Sequence, residues 1–266
     1  MKKSDSQYSV LERIKCCLRK LRMMYKAKRK FHQDMVQYNC TDEEKNFKIT
    51  KKNLYPRYQD IYKNAGEENE SELDEHYFLQ DIYMASKIHS NAPSIHYDIG
   101  SRIGGFIAHL ISASTIEKII MIDIRPFFIK LPRFYFRRAD ATNLRGIAEN
   151  SIQSLSSLHA VEHFGLGRYG DNVDPQAWRK ALKSIQRVMG PGGYFYLSVP
   201  VGPQNKLCFN AHRIFRPSLI IETLDKMELL SFAYIHNWKV IEVDIKKNLD
   251  NIVHEYDCGM FIFKKR

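Results

Sequence analysis

Three aspartates, Asp98, Asp123 and Asp140, each close a short run rich in isoleucine or aromatic residues, and each leads into a turn. Asp98 precedes Ile99-Gly100-Ser101-Arg102-Ile103-Gly104-Gly105. A carboxylate there suits the ammonium of an aminoacyl group and would repel a diphosphate. Gly100 lets the backbone turn tightly beside a ligand, and Gly104 and Gly105 let a helix begin close to the preceding strand. Asp123, in Met-Ile-Asp-Ile-Arg, is placed to accept from both hydroxyls of a ribose. Asp140, in Arg-Ala-Asp-Ala-Thr, suits an exocyclic adenine amine, with the Ala141 N–H serving a ring nitrogen. Singly, such residues serve as loop or capping residues. At three successive strand ends they describe a seat for a cationic aminoacyl nucleoside, and S-adenosylmethionine has that chemistry. Nicotinamide enzymes prefer G-x-G-x-x-G, whose second glycine position, counted from Gly100, is here Arg102.

A second group could act on an acceptor. His159, Glu162 and His163 stand at i, i+3 and i+4, so a helix beginning at Leu158 would place them on one face. His212 follows fifty residues later and could join them. Three chemistries suit this group. His163 or His212 would serve as general base for a hydroxyl; His159, Glu162, His163 and His212 would ligate a divalent metal; or Glu162 and His163 would cap the helix. Gly165 to Asp171 forms a glycine-punctuated loop with Arg168 and Tyr169, the composition of a mobile lid. Arg213 would bind an acidic sugar or phosphate, or pair with a structural carboxylate. No Asp-Pro-Pro-Tyr or Asn-Pro-Pro-Tyr follows the fourth strand, which favours oxygen acceptors over exocyclic amines of bases.

Positioning these groups requires alternating strands and helices. Strands are expected at 94–99, 118–123, 133–138, 152–157 and 194–199, and helices at 72–90, 104–112, 175–189 and 217–229, the first of these ending before Pro93. Repeated β-α-β order implies a parallel sheet with helices on both faces. Two last strands, at 233–243 and 259–263, have no long helix between them and predict a terminal antiparallel hairpin. Residues 40–75 are polar, contain Pro56 and the acidic run Glu67 to Glu70, and read as a connecting region.

The formal charge of +11 is concentrated in one segment: residues 1–30 hold 11 Lys or Arg against Asp5 and Glu12, a net of +9, which leaves +2 for the rest. Leu11, Ile14, Leu18, Leu21 and Tyr25 recur every three or four residues among these cations, the pattern of a basic amphipathic helix. Such an arm could rest on an anionic membrane surface, grip nucleic acid, or dock its stripe on the domain. No stretch approaches the ~18 apolar residues of a membrane span, and the start lacks a secretory pattern, so a cytoplasmic protein with peripheral contact at the inner membrane face is expected. Cys16, Cys17, Cys40, Cys208 and Cys258 show no paired metal spacing and read as reduced thiols.

At the residues quoted above, and at Met189-Gly190-Pro191-Gly192-Gly193 before the fifth strand, the chain resembles class I S-adenosylmethionine-dependent methyltransferases over residues 90–265. The segments around His96 to Phe106, Ser154 to Asp171 and Phe209 to Phe215 also resemble a bacterial domain-of-unknown-function family, number 268. The superfamily resemblance implies an α/β, Rossmann-like fold with a mostly parallel seven-stranded sheet, a terminal antiparallel hairpin and an N-terminal helical extension. The divisions are 1–38 for the basic arm, 39–90 for a connecting and helical region, and 91–266 for the methyltransferase-like domain. Expected cofactor contacts are Asp98, Gly100, Ser101, Gly104, Asp123, Asp140, Ala141 and Leu158; expected catalytic residues are His163, Glu162 and His212. Some methyltransferases carry a metal-binding Glu-x-x-Glu-His cluster, in which His159 here replaces the first Glu. The second family's association with surface-polysaccharide genes implies O-methylation of a small or lipid-linked saccharide. RNA methylation, or a non-catalytic protein keeping the fold, are the alternatives.

Overall fold

The computed structural model describes residues 10–40, 46–62, 74–112, 115–128, 130–251 and 253–266. The acidic run at Glu67 to Glu70 and the side chains of Leu11, Ile14 and Cys16 lie outside the described residues.

Helix α1, Val10–Asn39, forms the arm. Helix α2, Glu75–Ser90, starts at Asp74, whose side chain accepts from the His76 N–H at 2.9 Å, and stops short of Pro93. Then follow β1 (Ile95–Ile99), a π-helical turn (Ile103–Ile107) running into α3 (Ala108–Ser112), β2 (Lys118–Asp123), β3 (Phe134–Arg138), β4 (Ile152–Leu158), α4 (Ala177–Val188) and β5 (Met189–Val201). A small hairpin of β6 (Lys206–Cys208) and β7 (His212–Ile214) precedes α5 (Pro217–Thr223), β8 (Met227–His236), β9 (Lys239–Val243) and β10 (Asp257–Lys265).

Among the described residues the main sheet has eight strands in the order β3-β2-β1-β4-β5-β10-β8-β9. The pairs β3-β2, β2-β1, β1-β4 and β4-β5 are parallel, and β10 runs antiparallel between β5 and β8. This is the expected Rossmann-like methyltransferase fold, with one edge strand more than the expected seven. The extra strand arises because Asn237 and Trp238 both take positive φ, +50° and +59°, the two-residue turn that folds a hairpin. The run 233–243, expected as one strand, is therefore split into β8 and β9. Two other expectations shift. The helix from Pro217 ends at Thr223, and the Met189–Gly193 run, expected before strand five, forms that strand's irregular start, with Gly192 at φ +77°.

The sheet is apolar on both faces, as a covered parallel sheet must be. Along β5, Phe195, Leu197, Val199 and Val201 pack with Trp178 and Ile185 of α4, while Tyr196 packs on the other side with Met84, Ile88, Phe106 and Leu110. Filling both layers fixes the strand register, because a slip of one residue would exchange the two sets.

Helix α1 docks by its second half. Ala27, Phe31 and Tyr38 are buried, and Phe31 and Tyr38 pack on Phe209. Asp34 lies where a Cβ at Gly167 would collide with it, and Gln37 donates to Val173 O at 3.2 Å, so this half braces the 165–173 loop. Leu18, Leu21 and Tyr25, expected to share one stripe, are 51%, 55% and 71% exposed. These three side chains of the stripe therefore do not dock on the domain. Among the described residues, no helix is long and apolar enough to cross a membrane.

Candidate functional site

A cleft of about 530 Å³ opens at the carboxyl ends of β1, β2, β3 and β4, where ligands of open parallel sheets bind. Its wall includes Gly100, Asp123, Asp140 and Ala141. Gly100 has φ +70°, and a Cβ there would come within 3.1 Å of Ala160 Cβ, so the turn needs glycine both for conformation and for space. Asp123 ends β2 and is 7% exposed. Asp140 Oδ1 accepts from the Thr142 N–H and Oγ1, at 2.8 and 2.7 Å, which anchors the loop that presents Ala141.

Other expected contacts sit behind this wall. Asp98 is fully buried; its carboxylate accepts from the Ser101 N–H at 3.0 Å and from the hydroxyls of Ser101 and Ser156, each at 2.6 Å. Burial pushes its pKa up to about 6, against these hydrogen bonds. It holds the turn to β4, with its carboxylate committed to Ser101 and Ser156. Ser101 is likewise internal, its Oγ accepting from the Leu158 N–H at 3.0 Å. Leu158 is 2% exposed and ends β4, and Gly104 opens outward in the π-helical turn. Such single π turns often occur at functional sites.

Arg102, noted in the sequence only for excluding a pyrophosphate, lies on the cleft wall with its guanidinium over the Tyr77 ring at 4.5 Å. Arg125 spans Asp123 through Nε and NH2, at 3.2 and 2.8 Å, and lies over the ring of Tyr169 at 4.6 Å. Tyr169 belongs to the expected lid, whereas Tyr77 and Arg125 are not among the expected contacts. Tyr77 reads as one more apolar position of a helix, while Arg125 carried a weak signal, lying two residues after a turn aspartate. Asp81 was also missed. Its carboxylate lies where any Cβ at Gly105 would stand, and burial pushes its pKa up to about 6.

The expected helix face of His159, Glu162 and His163 does not form. Leu158 is the last residue of β4, His159 sits at φ +49°, and only a 3₁₀ turn, Val161–His163, follows. Positive φ in a histidine costs of order 1–3 kcal/mol and requires surrounding contacts to hold it. His159 has them, since its N–H donates to Ser198 Oγ at 3.1 Å and its Nδ1 meets Glu162 Oε1 at 2.7 Å. Burial opposes charge on His159, but Cys258 and Glu162 outweigh it and hold its pKa well above the ordinary value. Glu162 is 1% exposed, and its Oε2 has no partner among the described residues.

His163 lies on the cleft wall. Its Nδ1 donates to Ala211 O at 2.6 Å, which leaves Nε2 as the acceptor nitrogen. Burial, then Arg168 and His212, push its pKa well below the usual histidine value, so it is neutral. Tyr169 meets its ring edge-on at 5.5 Å. His212 starts β7 and packs on Tyr256 at 5.5 Å, with its pKa lowered to about 4, first by burial. Of the three expected catalytic residues, His163 alone is part of the cleft wall. Among the described residues, His159, Glu162, His163 and His212 do not bring ligand atoms close enough to one another to share an ion.

The expected lid is a braced loop. Asp171 accepts from the N–H groups of Gly165 and Tyr169 at 2.7 and 3.2 Å, and Arg168 is tied to Asp60 at 3.0 Å and Ala211 O at 3.0 Å. Arg213, expected to meet an acceptor, is fully buried and donates to Phe164 O, Glu162 O and Pro175 O at 2.7, 3.3 and 3.4 Å.

Comparison with known proteins supports this architecture. A family model described as "Caenorhabditis protein of unknown function, DUF268" matches residues 141–256, from the third-strand loop to the start of β10, so the attribution to a bacterial family is corrected. No curated protein matches the sequence. The (4+2)-cyclase SpnF is similar at TM-score 0.50 and 12% identity, over 91% of this chain and 93% of that one. N-methyltransferase NodS from Bradyrhizobium japonicum WM9, solved with S-adenosyl-L-homocysteine, has TM-score 0.49 and 14% identity over 79% and 96%. The 1,6-didemethyltoxoflavin-N1-methyltransferase of Burkholderia thailandensis has 0.46 and 17% over 70% and 78%. At these identities the likeness gives the fold, and a fold named once for a cyclisation does not by itself specify a reaction. The chain thus has a Rossmann-like α/β fold, with a mostly parallel sheet, similar to that of SpnF.

Proposed function

We propose that this chain transfers a methyl group from S-adenosylmethionine to an oxygen of a saccharide or saccharide precursor. The observation that carries the reading is the neutral His163 on the cleft wall, its Nδ1–H fixed on Ala211 O and its Nε2 making no hydrogen bond, 3.7 Å from Glu162 Oε1. When bound, S-adenosylmethionine supplies an activated methyl on a sulfonium. The residues fit its parts: Asp123 suits the ribose hydroxyls, Asp140 and Ala141 the adenine, and Gly100 the close approach of backbone to ligand. Arg102 suits the carboxylate of the aminoacyl end. An oxygen acceptor has a proton to lose, and His163 Nε2 is the group suited to take it.

Asp123→Ala tests the cofactor half. It is expected to weaken S-adenosylhomocysteine binding by roughly 10- to 100-fold, because two hydrogen bonds to a charged acceptor are lost. Isothermal titration reads this, with circular dichroism to check the fold; unchanged affinity would remove the ribose assignment.

The exposed stripe of α1 supports a membrane-surface role. Leu18, Leu21 and Tyr25 stand free among Lys15, Arg19, Lys20, Arg22 and Lys26, the composition of a helix that lies in an anionic interface. The protein is expected to sediment with phosphatidylglycerol vesicles and not with phosphatidylcholine vesicles. The double substitution Leu18→Glu and Leu21→Glu, which avoids the docked half of the helix, should leave it in the supernatant. Equal sedimentation with both vesicles would contradict the role.

A further inference from the structure

We infer that His236, His254 and Asp257 form a binding site for a divalent transition-metal ion, with zinc the best match to the ligands. His236 ends β8, Asp257 begins β10, and His254 lies in the loop between β9 and β10. Because β10 runs antiparallel between β5 and β8, its first residue lies at the same sheet edge as their last ones. That is the carboxyl edge, where the main cleft also opens.

Asp257 is fully buried, and its two oxygens are divided between the two imidazoles. Oδ1 is 2.8 Å from His236 Nδ1, and Oδ2 is 3.0 Å from His254 Nδ1 and accepts from the His254 N–H at 2.7 Å. One ligand atom from each residue lies within 4.8 Å of the others, and among the described residues no other set of three does so. The two rings stack at 3.7 Å, 13° from parallel.

Two imidazole nitrogens and a carboxylate are zinc ligands at about 2.0–2.2 Å. Nitrogen and oxygen atoms 2.8 and 3.0 Å apart would subtend roughly a right angle at an ion held at such distances, so these atoms are near enough to share one. Rings this close to parallel cannot both point their lone pairs at one ion, so the stack must open. The His254 side chain is 51% exposed and lies in a loop, where tilting meets little resistance. Three protein ligands leave a coordination position for water. A cavity of about 380 Å³ lined by Asp74, Glu75, His76, Trp238 and Tyr256 lies nearby, beside residues flanking His236 and Asp257 in sequence.

Cobalt(II) makes an optical probe for such a site. Full-length metal-free protein titrated with cobalt(II) should develop visible ligand-field bands that saturate at one ion per chain, with zinc(II) displacing it. His254→Ala should weaken this binding at least tenfold, and Asp257→Asn, which keeps the shape of the buried side chain, should do the same. Thermal melts and S-adenosylhomocysteine titrations should show both variants folded. Absence of saturable binding by the parent protein, or binding by folded variants as tight as the parent's, would overturn the site.

Discussion

His163→Ala is expected to slow methyl transfer by ~100- to 10,000-fold, the range for loss of a general base, while S-adenosylhomocysteine affinity stays within about twofold. The split follows from position. His163 lies on the cleft wall but contacts none of the turns that seat the nucleoside, being held by Ala211 O and edge-on to Tyr169. Its pKa is well below the ordinary histidine value, so the base form survives as the medium is acidified. The rate should therefore show no inflection near pH 6.5, where an unperturbed histidine would be lost. A histidine of low pKa is also a weak base. It is effective when the hydroxyl grows acidic as its oxygen gives electron density to the incoming methyl. Incorporation of tritiated methyl from S-adenosylmethionine into an extracted glycan fraction measures the rate. Loss of S-adenosylhomocysteine binding in the variant would mean instead that His163 is structural.

Arg213→Met should lower the free energy of unfolding by about 3 kcal/mol, or roughly 6–12 °C in midpoint for a chain of this size. The side chain is fully buried, and among the described residues no carboxylate pairs with it. Its charge is compensated by Phe164 O, Glu162 O and Pro175 O, and by the Phe47 ring at 5.6 Å. Methionine keeps most of the volume but strands three carbonyls, at about 1 kcal/mol or more each. The cost of burying a charge disappears as well, so the prediction asserts that the lost bonds exceed that relief. Those carbonyls flank the turn carrying His163, so methyl transfer should fall too. A methionine variant as stable as the parent in urea would show that the two contributions cancel.

Which parts of this were legible in the chain depends on how far each interaction reaches. The runs Lys118–Asp123 and Ile152–Leu158 announce strands because alternating and β-branched composition is a local property. In a parallel sheet every strand end falls on the same edge, so Asp123 and Asp140 could be placed at a common cleft without coordinates. The hairpin at Asn237-Trp238 escaped notice because neither residue is the glycine that usually marks such a turn.

Asp98 and Arg213 show the opposite limit. Each has the residue type of a binding group, Asp98 for an ammonium and Arg213 for an acidic acceptor or a structural carboxylate. Asp98 is instead claimed by Ser156, 58 positions along the chain, and Arg213 by carbonyls 38 to 51 positions away. Burial and partner choice at such separations follow from packing, and one-dimensional spacing does not encode them.

The histidines behave likewise. Their i, i+3, i+4 spacing is meaningful only on a helix, and β4 runs one residue too far for the helix to begin. His236, His254 and Asp257 are brought together only because β10 inserts between β5 and β8.

The sequence by itself thus determined the sheet, its ligand edge and the turn at Gly100, through periodicity and backbone conformation that act over a few residues. Tertiary structure alone decided which polar groups face the cleft, turning Asp98 inward and leaving Arg102, Tyr77 and His163 on the wall. The physical reason is that a buried charge goes where hydrogen-bond partners can offset its desolvation, and those partners are gathered by the fold.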